Sequence, residues 1–395
     1  MDTLKTKIAA LADRYFDEII AIRRHLHRYP ELSFREFETS AYICSRLDEW
    51  GISYRKGIVK TGILAEIEGS GPGRIIAMRA DMDALPINEN TGLDFQSLNE
   101  GIMHACGHDV HTASLLGLIR VLSGLKDSFS GKIKFIFQPG EERIPGGAKL
   151  MLEEKLFGDE EPELVIAQHV FPDLPAGKVG FREGQYMASS DEIFITVKGK
   201  GGHAALPDTL VDPVLIASHI IVTLQQIVSR SNKPGLPTVL SFGKVDAPGA
   251  VNVIPDTVKI EGTFRTMNEE WRISAHQKIR AIAGMIAESM GGQAEVEIRG
   301  GYPVLVNDPE LTRKLRSFAI EFLGAENVED LDIRMTAEDF SYFSQQYPAS
   351  LFRLGVTEPG SVSTALHTPT FRVDETAIKT AVGLMAWMVI NLMKE

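Results

Sequence analysis

Arg74-Ile75-Ile76-Ala77-Met78-Arg79-Ala80-Asp81-Met82-Asp83-Ala84-Leu85-Pro86 is the stretch that decides how this chain is read. Residues 74–79 form an apolar run of strand length, bounded by charge. It passes directly into two carboxylates and a proline stop. Carboxyl ends of strands are where open α/β sheets build their sites. The plan recurs downstream. Residues 132–138 predict a strand, with Ile133, Phe135 and Phe137 alternating against Lys132, Lys134 and Ile136, and it runs into Pro139-Gly140-Glu141-Glu142. The buried run Leu164-Val165-Ile166-Ala167 leads into Gln168-His169, and 62–67 is another strand-length run. Helical periodicity covers 4–29, ending at Tyr29-Pro30, and 37–50, stopped by Gly51. It returns over 110–123, 147–155 and 375–392. Strands alternating with helices predict an α/β domain, its mostly parallel sheet flanked by helices.

The pattern changes after Gly184. A strand over 192–198, a helix over 212–229, strands over 238–244 and 257–266, a helix over 269–290 and a strand over 294–299 follow in turn. That order, β-α-β-β-α-β, is ferredoxin-like. The chain is therefore read as one α/β domain in two parts, 1–184 and 300–395, with a ferredoxin-like domain inserted over 185–299.

Composition excludes several classes. The 395 residues are 44% hydrophobic and 24% charged, an ordinary globular profile of two or three domains. With 41 Lys+Arg against 53 Asp+Glu, the net charge is 41 − 53 = −12. Such a chain lacks the basic footprint of a nucleic-acid partner. No stretch approaches 18 consecutive apolar residues, so no membrane span is expected. Asp2, Asp13, Asp17 and Glu18 lie among apolar positions near the start, which suits an amphipathic helix rather than a secretion leader. The only cysteines, Cys44 and Cys106, cannot staple a chain this long, and a reducing cytoplasm is the expected setting.

The chemistry concentrates around histidines. His104-Ala105-Cys106-Gly107-His108-Asp109-Val110-His111 holds three of the ten. Cys-x-His brings a thiolate and an imidazole close enough to share zinc or a similar ion. Asp81 and Asp83 could ligate a metal or orient a histidine ligand. Of the adjacent Glu141 and Glu142, one can ligate while the other acts as general base toward metal-bound water. His169 sits at a strand end, and His367 in a loop before the last helix. Singly, each competes with a solvated turn or a structural histidine. Jointly, on strand ends about 5 Å apart, they predict a metal centre.

These residues make the chain similar to the metallopeptidase family of aminoacylases, dipeptidases and glutamate carboxypeptidases. It most resembles the amidohydrolase branch, with its N-acyl amino acid, hippurate and auxin-conjugate hydrolases and N-acetyldiaminopimelate deacetylases. The segments 79–86, 104–109, 139–142, 199–207 and 252–256 occur in family order across essentially the whole chain. The resemblance implies a catalytic domain holding two divalent metal ions (manganese, zinc, cobalt or nickel). The implied ligands are Cys106, His108, Glu142, His169 and His367. Glu141 falls on the catalytic base and Asp83 on the aspartate that orients a ligand. The inserted domain falls on the family's lid, often a dimerisation surface, so a homodimer through it is an expectation. His203, in Gly201-Gly202-His203, falls on a lid histidine that contacts the substrate carbonyl oxygen, and Asn252 on a lid asparagine that contacts substrate. Arg265 is a candidate for the substrate carboxylate. Two departures stand out: Asp81 replaces the histidine of most peptidases, and Cys106 stands near their bridging aspartate. The cysteine is typical of the amidohydrolase branch.

The implied reaction is hydrolysis of an N-acyl amino acid to a carboxylate and a free amino acid. The competing readings are a di- or aminopeptidase of the same family, and a thiol hydrolase using Cys106 as nucleophile.

Overall fold

The computed structural model describes residues 2–394. It divides into two compact units. One comprises the chain up to Gly184, Val306–Asp332 and everything from Asp339 onward; the other comprises Gln185–Leu305 and Ile333–Glu338.

The first unit is built on an eight-stranded sheet. Its order is Ser53–Ile58, Gly62–Glu68, Lys132–Gln138, Ile75–Asp81, Leu164–Pro175, Ala349–Thr357, Val179–Phe181 and Val328–Asp330. The four strands from Lys132–Gln138 to Ala349–Thr357 run parallel. Parallel strands need both faces covered, and these are buried along most of their length. Helices Asp2–Arg28, His108–Ser123 and Thr376–Leu392 pack against one another beside this sheet. The last is apolar on every side because it is buried almost throughout. Four of the eight strands escape the run pattern, the short Val179–Phe181 and Val328–Asp330 and two longer ones. Ser53–Ile58 is a polar edge strand, and Ala349–Thr357 is buried up to its last residue yet carries Ser350, Arg353 and Gly355.

Register aligns the chemistry. Asp81 pairs with Gln138, and Arg79 pairs with Ala167, so Asp81, Gln138 and His169 reach one level of the sheet. Arg79, wholly buried, locks that level. It donates to Gln138 Oε1 (2.9 Å), Asp81 Oδ2 (2.7 Å) and Asp339 Oδ1 (2.8 Å). Gln138 Nε2 also donates to both oxygens of Asp339 at 2.8 Å.

The second unit is a four-stranded antiparallel sheet in the order Thr238–Asp246, Thr257–Thr266, Asp191–Lys198, Gln293–Gly300. That is the ferredoxin-like arrangement. Asp191–Lys198 alternates buried and less buried residues, as expected of a sheet packed on one face. Ile193, Ile195, Val197, Val258, Ile260 and Phe264 meet helices Pro213–Leu224 and Glu269–Ser289 through Ile216, Ile220, Ala275 and Ile279. Pro213–Ser231 is long and apolar enough by composition to cross a membrane, but Ile216, Ala217, Ile220, Leu224 and Ile227 are committed to this core. The returning segment belongs here because Arg334 O accepts from Ala188 N–H (3.0 Å) and Met335 O from Arg265 Nη1 (3.2 Å).

Replacing Arg79 with methionine should fill the space but leave Asp81 and Asp339 facing each other without their cation. Urea unfolding should show a loss of about 3–5 kcal/mol, the cost typical of breaking a buried ion pair from one side.

Candidate metal centre

A sharp turn begins the site. Gly107 adopts φ +80°, and a Cβ there would stand 2.6 Å from Val170 Cγ2. Glycine therefore lets the chain pass from Cys106 into the helix His108–Ser123, which sets Cys106 and His108 side by side. Opposite, the strand Lys132–Gln138 ends in the Gly140-Glu141-Glu142 turn, where Gly140 has φ +61°.

These segments converge. Cys106 Sγ lies 3.5 Å from His169 Nε2 and 3.3 Å from His367 Nε2. His367 Nε2 is 3.2 Å from Glu142 Oε1, which is 3.9 Å from His108 Nε2. Three donor sets result: Cys106, His108 and His169; Cys106, Glu142 and His367; His108, Glu141 and Glu142. Within each, the ligand atoms lie within 4.8 Å of one another. Cys106 is common to the first two.

The surrounding bonds fix which nitrogens face the centre. His169 Nδ1–H donates to Val170 O (2.8 Å), so Nε2 carries its lone pair. His108 Nδ1 meets Asp83 Oδ1 at 3.2 Å, which leaves Nε2 buried with no hydrogen-bond partner among the described residues. Glu142 Oε1 is likewise buried without a hydrogen bond and faces His367 Nε2 at 3.2 Å. Buried polar atoms are rarely left so, and this pair suits a cation with nitrogen, sulfur and carboxylate ligands. Asp83 also accepts from Glu141 N–H (3.1 Å), Glu142 N–H (3.0 Å) and Ser33 Oγ–H (2.6 Å).

Charge tells the same story. Burial pushes the Cys106 thiol well up, and Glu142, Glu141 and Asp81 push it further. Burial opposes charge on His108, yet Asp81, Asp83 and Glu142 outweigh it and raise the imidazole to about 10. The site is thus rich in negative charge, and a cation would relieve it.

Asp81 is occupied otherwise. It accepts from Arg79 and from His111 Nδ1–H (2.6 Å), while His111 Nε2 accepts from Val170 N–H (2.9 Å). His111 has no free lone pair and is a brace. Asp81 and His111 both lie within the quoted segments, whereas Asp339 and Ser33 lie outside the sequence motifs. Neither Asp339 nor Ser33 carried a local signal, whereas Arg79 did, as a charge within a buried strand.

Beneath Cys106–His108 lies a second buried network. His27 Nδ1 meets Asp109 Oδ2 at 2.9 Å and His27 Nε2 meets Glu89 Oε1 at 3.1 Å, while Arg23 Nε stands 2.8 Å from Asp109 Oδ2.

The second unit assembles its own group. His203 pairs with Val253 in a two-residue ladder, and Ala204 N–H donates to Asn252 O (3.1 Å), so the exposed His203 and Asn252 are neighbours. Arg265 is partly buried, at the end of Thr257–Thr266 and tied to Met335 O.

For His27, burial and Arg23 lower the imidazole's affinity for a proton, but Asp109 and Glu89 outweigh them and raise it above its ordinary value of 6.5. Its stabilisation is therefore complete below about 6.5 and is lost as pH rises through the raised folded value. The stability gap between wild type and His27→Gln should be widest near pH 6 and should shrink in alkaline solution, measured by urea unfolding across pH.

Residues 77–391 match the family described as peptidase family M20/M25/M40. The N-acetyl-L-cysteine deacetylase of Bacillus subtilis (strain 168) is 43% identical over 361 residues, covering 91% of this chain and 85% of the relative. The N-acetyldiaminopimelate deacetylase of Geobacillus sp. (strain WCH70) is 36% identical, covering 93% and 97%. A crystal structure of the Bacillus subtilis YXEP protein, described as a dinuclear metal binding peptidase from this family, superposes with a TM-score of 0.85 at 35% identity, covering 97% and 99%. The chain belongs to peptidase family M20/M25/M40.

Proposed function

We propose that this chain hydrolyses the amide bond of N-acyl amino acids, releasing a carboxylate and a free amino acid, with Glu141 as general base. The observation that carries this reading is the Glu141–Glu142 turn at a strand exit, facing Cys106, His108, His169 and His367. The two deacetylases named above support an N-acyl amino acid as substrate.

Cys106, His108, Glu142, His169 and His367 would hold two divalent ions. Thiolate, imidazole and carboxylate together suit zinc, manganese, cobalt or nickel. Such ions supply Lewis acidity, lowering the pKa of water and polarising the amide carbonyl. Glu141 takes the proton of the attacking water and returns it to the departing amine. Asp83 holds the base in place through its main-chain N–H and holds His108 in one tautomer. His203 donates to the carbonyl oxygen as charge develops there. Asn252, its neighbour, contacts substrate, and Arg265 pairs with the substrate carboxylate.

A nucleophilic Cys106 is disfavoured, because a thiol scheme leaves Glu141, Glu142 and His169 without a role beside it. A ligating Cys106 must stay unoxidised, so we infer a reducing, cytoplasmic setting.

A panel of N-acetyl and N-benzoyl amino acids and dipeptides should show turnover of the acyl amino acids. Phenanthroline should abolish it and divalent ions restore it. Glu141→Gln should lower kcat by about 10²–10⁴-fold with unchanged metal content. Near-normal kcat in that variant would remove Glu141 as base.

We also propose a homodimer through the lid. Leu215 and Val222, one stripe of helix Pro213–Leu224, are 50% and 72% exposed. Thr238–Asp246 is an edge strand whose outer backbone groups are open to pairing. Sedimentation should report a dimer for wild type and a monomer for Val222→Glu; a monomeric wild type would refute the assembly.

A further inference from the structure

The loop between the first two helices grips the site from outside its motifs. Glu31 O accepts from Ala84 N–H (2.8 Å), and Leu32 bridges Ala84 in parallel, so this loop lies along the residues after Asp83. Ser33 Oγ–H donates to Asp83 Oδ2 at 2.6 Å. Three residues on, Glu36 reaches the other strand exit. Its side chain is fully buried and accepts from Gly140 N–H (2.9 Å), Phe34 N–H (2.8 Å) and Thr61 Oγ1–H (2.7 Å).

Packing closes the same grip. A Cβ on Gly140 would stand 2.5 Å from the Phe34 ring, so the ring rests directly on the turn. Phe34 itself has φ +63°, a conformation disfavoured for a bulky residue and kept only where the surroundings over-determine it. Here Glu36 holds its N–H and Gly140 receives its ring.

We infer that Ser33 and Glu36 are positioning residues, forming a clasp that ties the Asp83 loop to the Gly140–Glu142 turn and so aims Glu141 and Glu142. The inference rests on the reading of Glu141 as base and Glu142 as ligand. Neither residue reaches the donor sets; both act through main-chain and carboxylate groups that do. Glu36's shape matters more than its charge. Burial and the charge of Asp83 push its carboxyl up to about 7, so a neutral acceptor of the same length can serve.

The test compares Ser33→Ala, Glu36→Ala and Glu36→Gln as full-length protein. Residues that orient ligands and catalytic groups typically change metal affinity or activity by about 10–100-fold. Ser33→Ala and Glu36→Ala should lower kcat about tenfold or more with KM little changed, and should weaken Zn²⁺ binding to chelator-stripped protein by about the same factor. Glu36→Gln, keeping the acceptor for Gly140 N–H, should recover most of both losses. The inference is overturned if the alanine variants keep kcat and Zn²⁺ affinity within about twofold of wild type, or if Glu36→Gln loses as much as Glu36→Ala. If Glu36→Ala fails to fold, Ser33→Ala and Glu36→Gln decide by the same criteria. Zn²⁺ titration separates the two readings, since it reports the clasp even when no acyl amino acid is turned over.

Discussion

A carboxylate buried at a strand end must be matched by donors, and Asp83 is the one on which this site hangs. Its four partners are Ser33 Oγ–H, the N–H groups of Glu141 and Glu142, and His108 Nδ1. Burial alone would raise its carboxyl, but His108, Ser33 and the turn hold it below the ordinary carboxylate value. Two of the partners are backbone groups of the turn that carries the proposed base, Glu141. Satisfying Asp83 and aiming Glu141 are therefore one event. The histidine bond at Nδ1 is what turns Nε2 toward the donor sets.

The distribution of buried charge separates framework from site. Asp339 is answered by Arg79 and Gln138, Asp81 by Arg79 and His111, and Asp109 by Arg23 and His27. Each acid is neutralised by its own chain, as buried charge requires. Glu142 Oε1, 3.2 Å from His367 Nε2, and His108 Nε2 make no hydrogen bond among the described residues and lie together beside Cys106. A divalent cation is the partner that would complete this cluster of thiol, imidazole and carboxylate.

What the sequence discloses and what it conceals follow from range. Asp81, Glu141 and His169 are legible because each ends an apolar run, where a polar residue is conspicuous. The lid is legible because its strands alternate on one buried face. Ala349–Thr357 is not, since Ser350, Arg353 and Gly355 interrupt the run that burial would otherwise produce. Ser53–Ile58 is not, since an edge strand has little apolar surface to show. Ser33 and Glu36 are silent for a different reason. Their partners lie 50 and 104 residues away, and only the folded sheet brings them together.

Two non-glycine residues at the site hold left-handed backbones, Phe34 and His367. Such conformations are costly, of order 1–3 kcal/mol, and persist where neighbours over-determine them. His367 is fixed by donating its N–H to Ala105 O (2.9 Å), one residue before Cys106, which couples the late loop to the first ligand segment. Phe34 is fixed against Gly140 and Glu36, which couples the early loop to the Gly140-Glu141-Glu142 turn. The chain spends strain at both edges of the donor sets and leaves the centre to strand ends and a helix start. That is the pattern of a site assembled before its ligands arrive, in which groups need little reorganisation when charge develops.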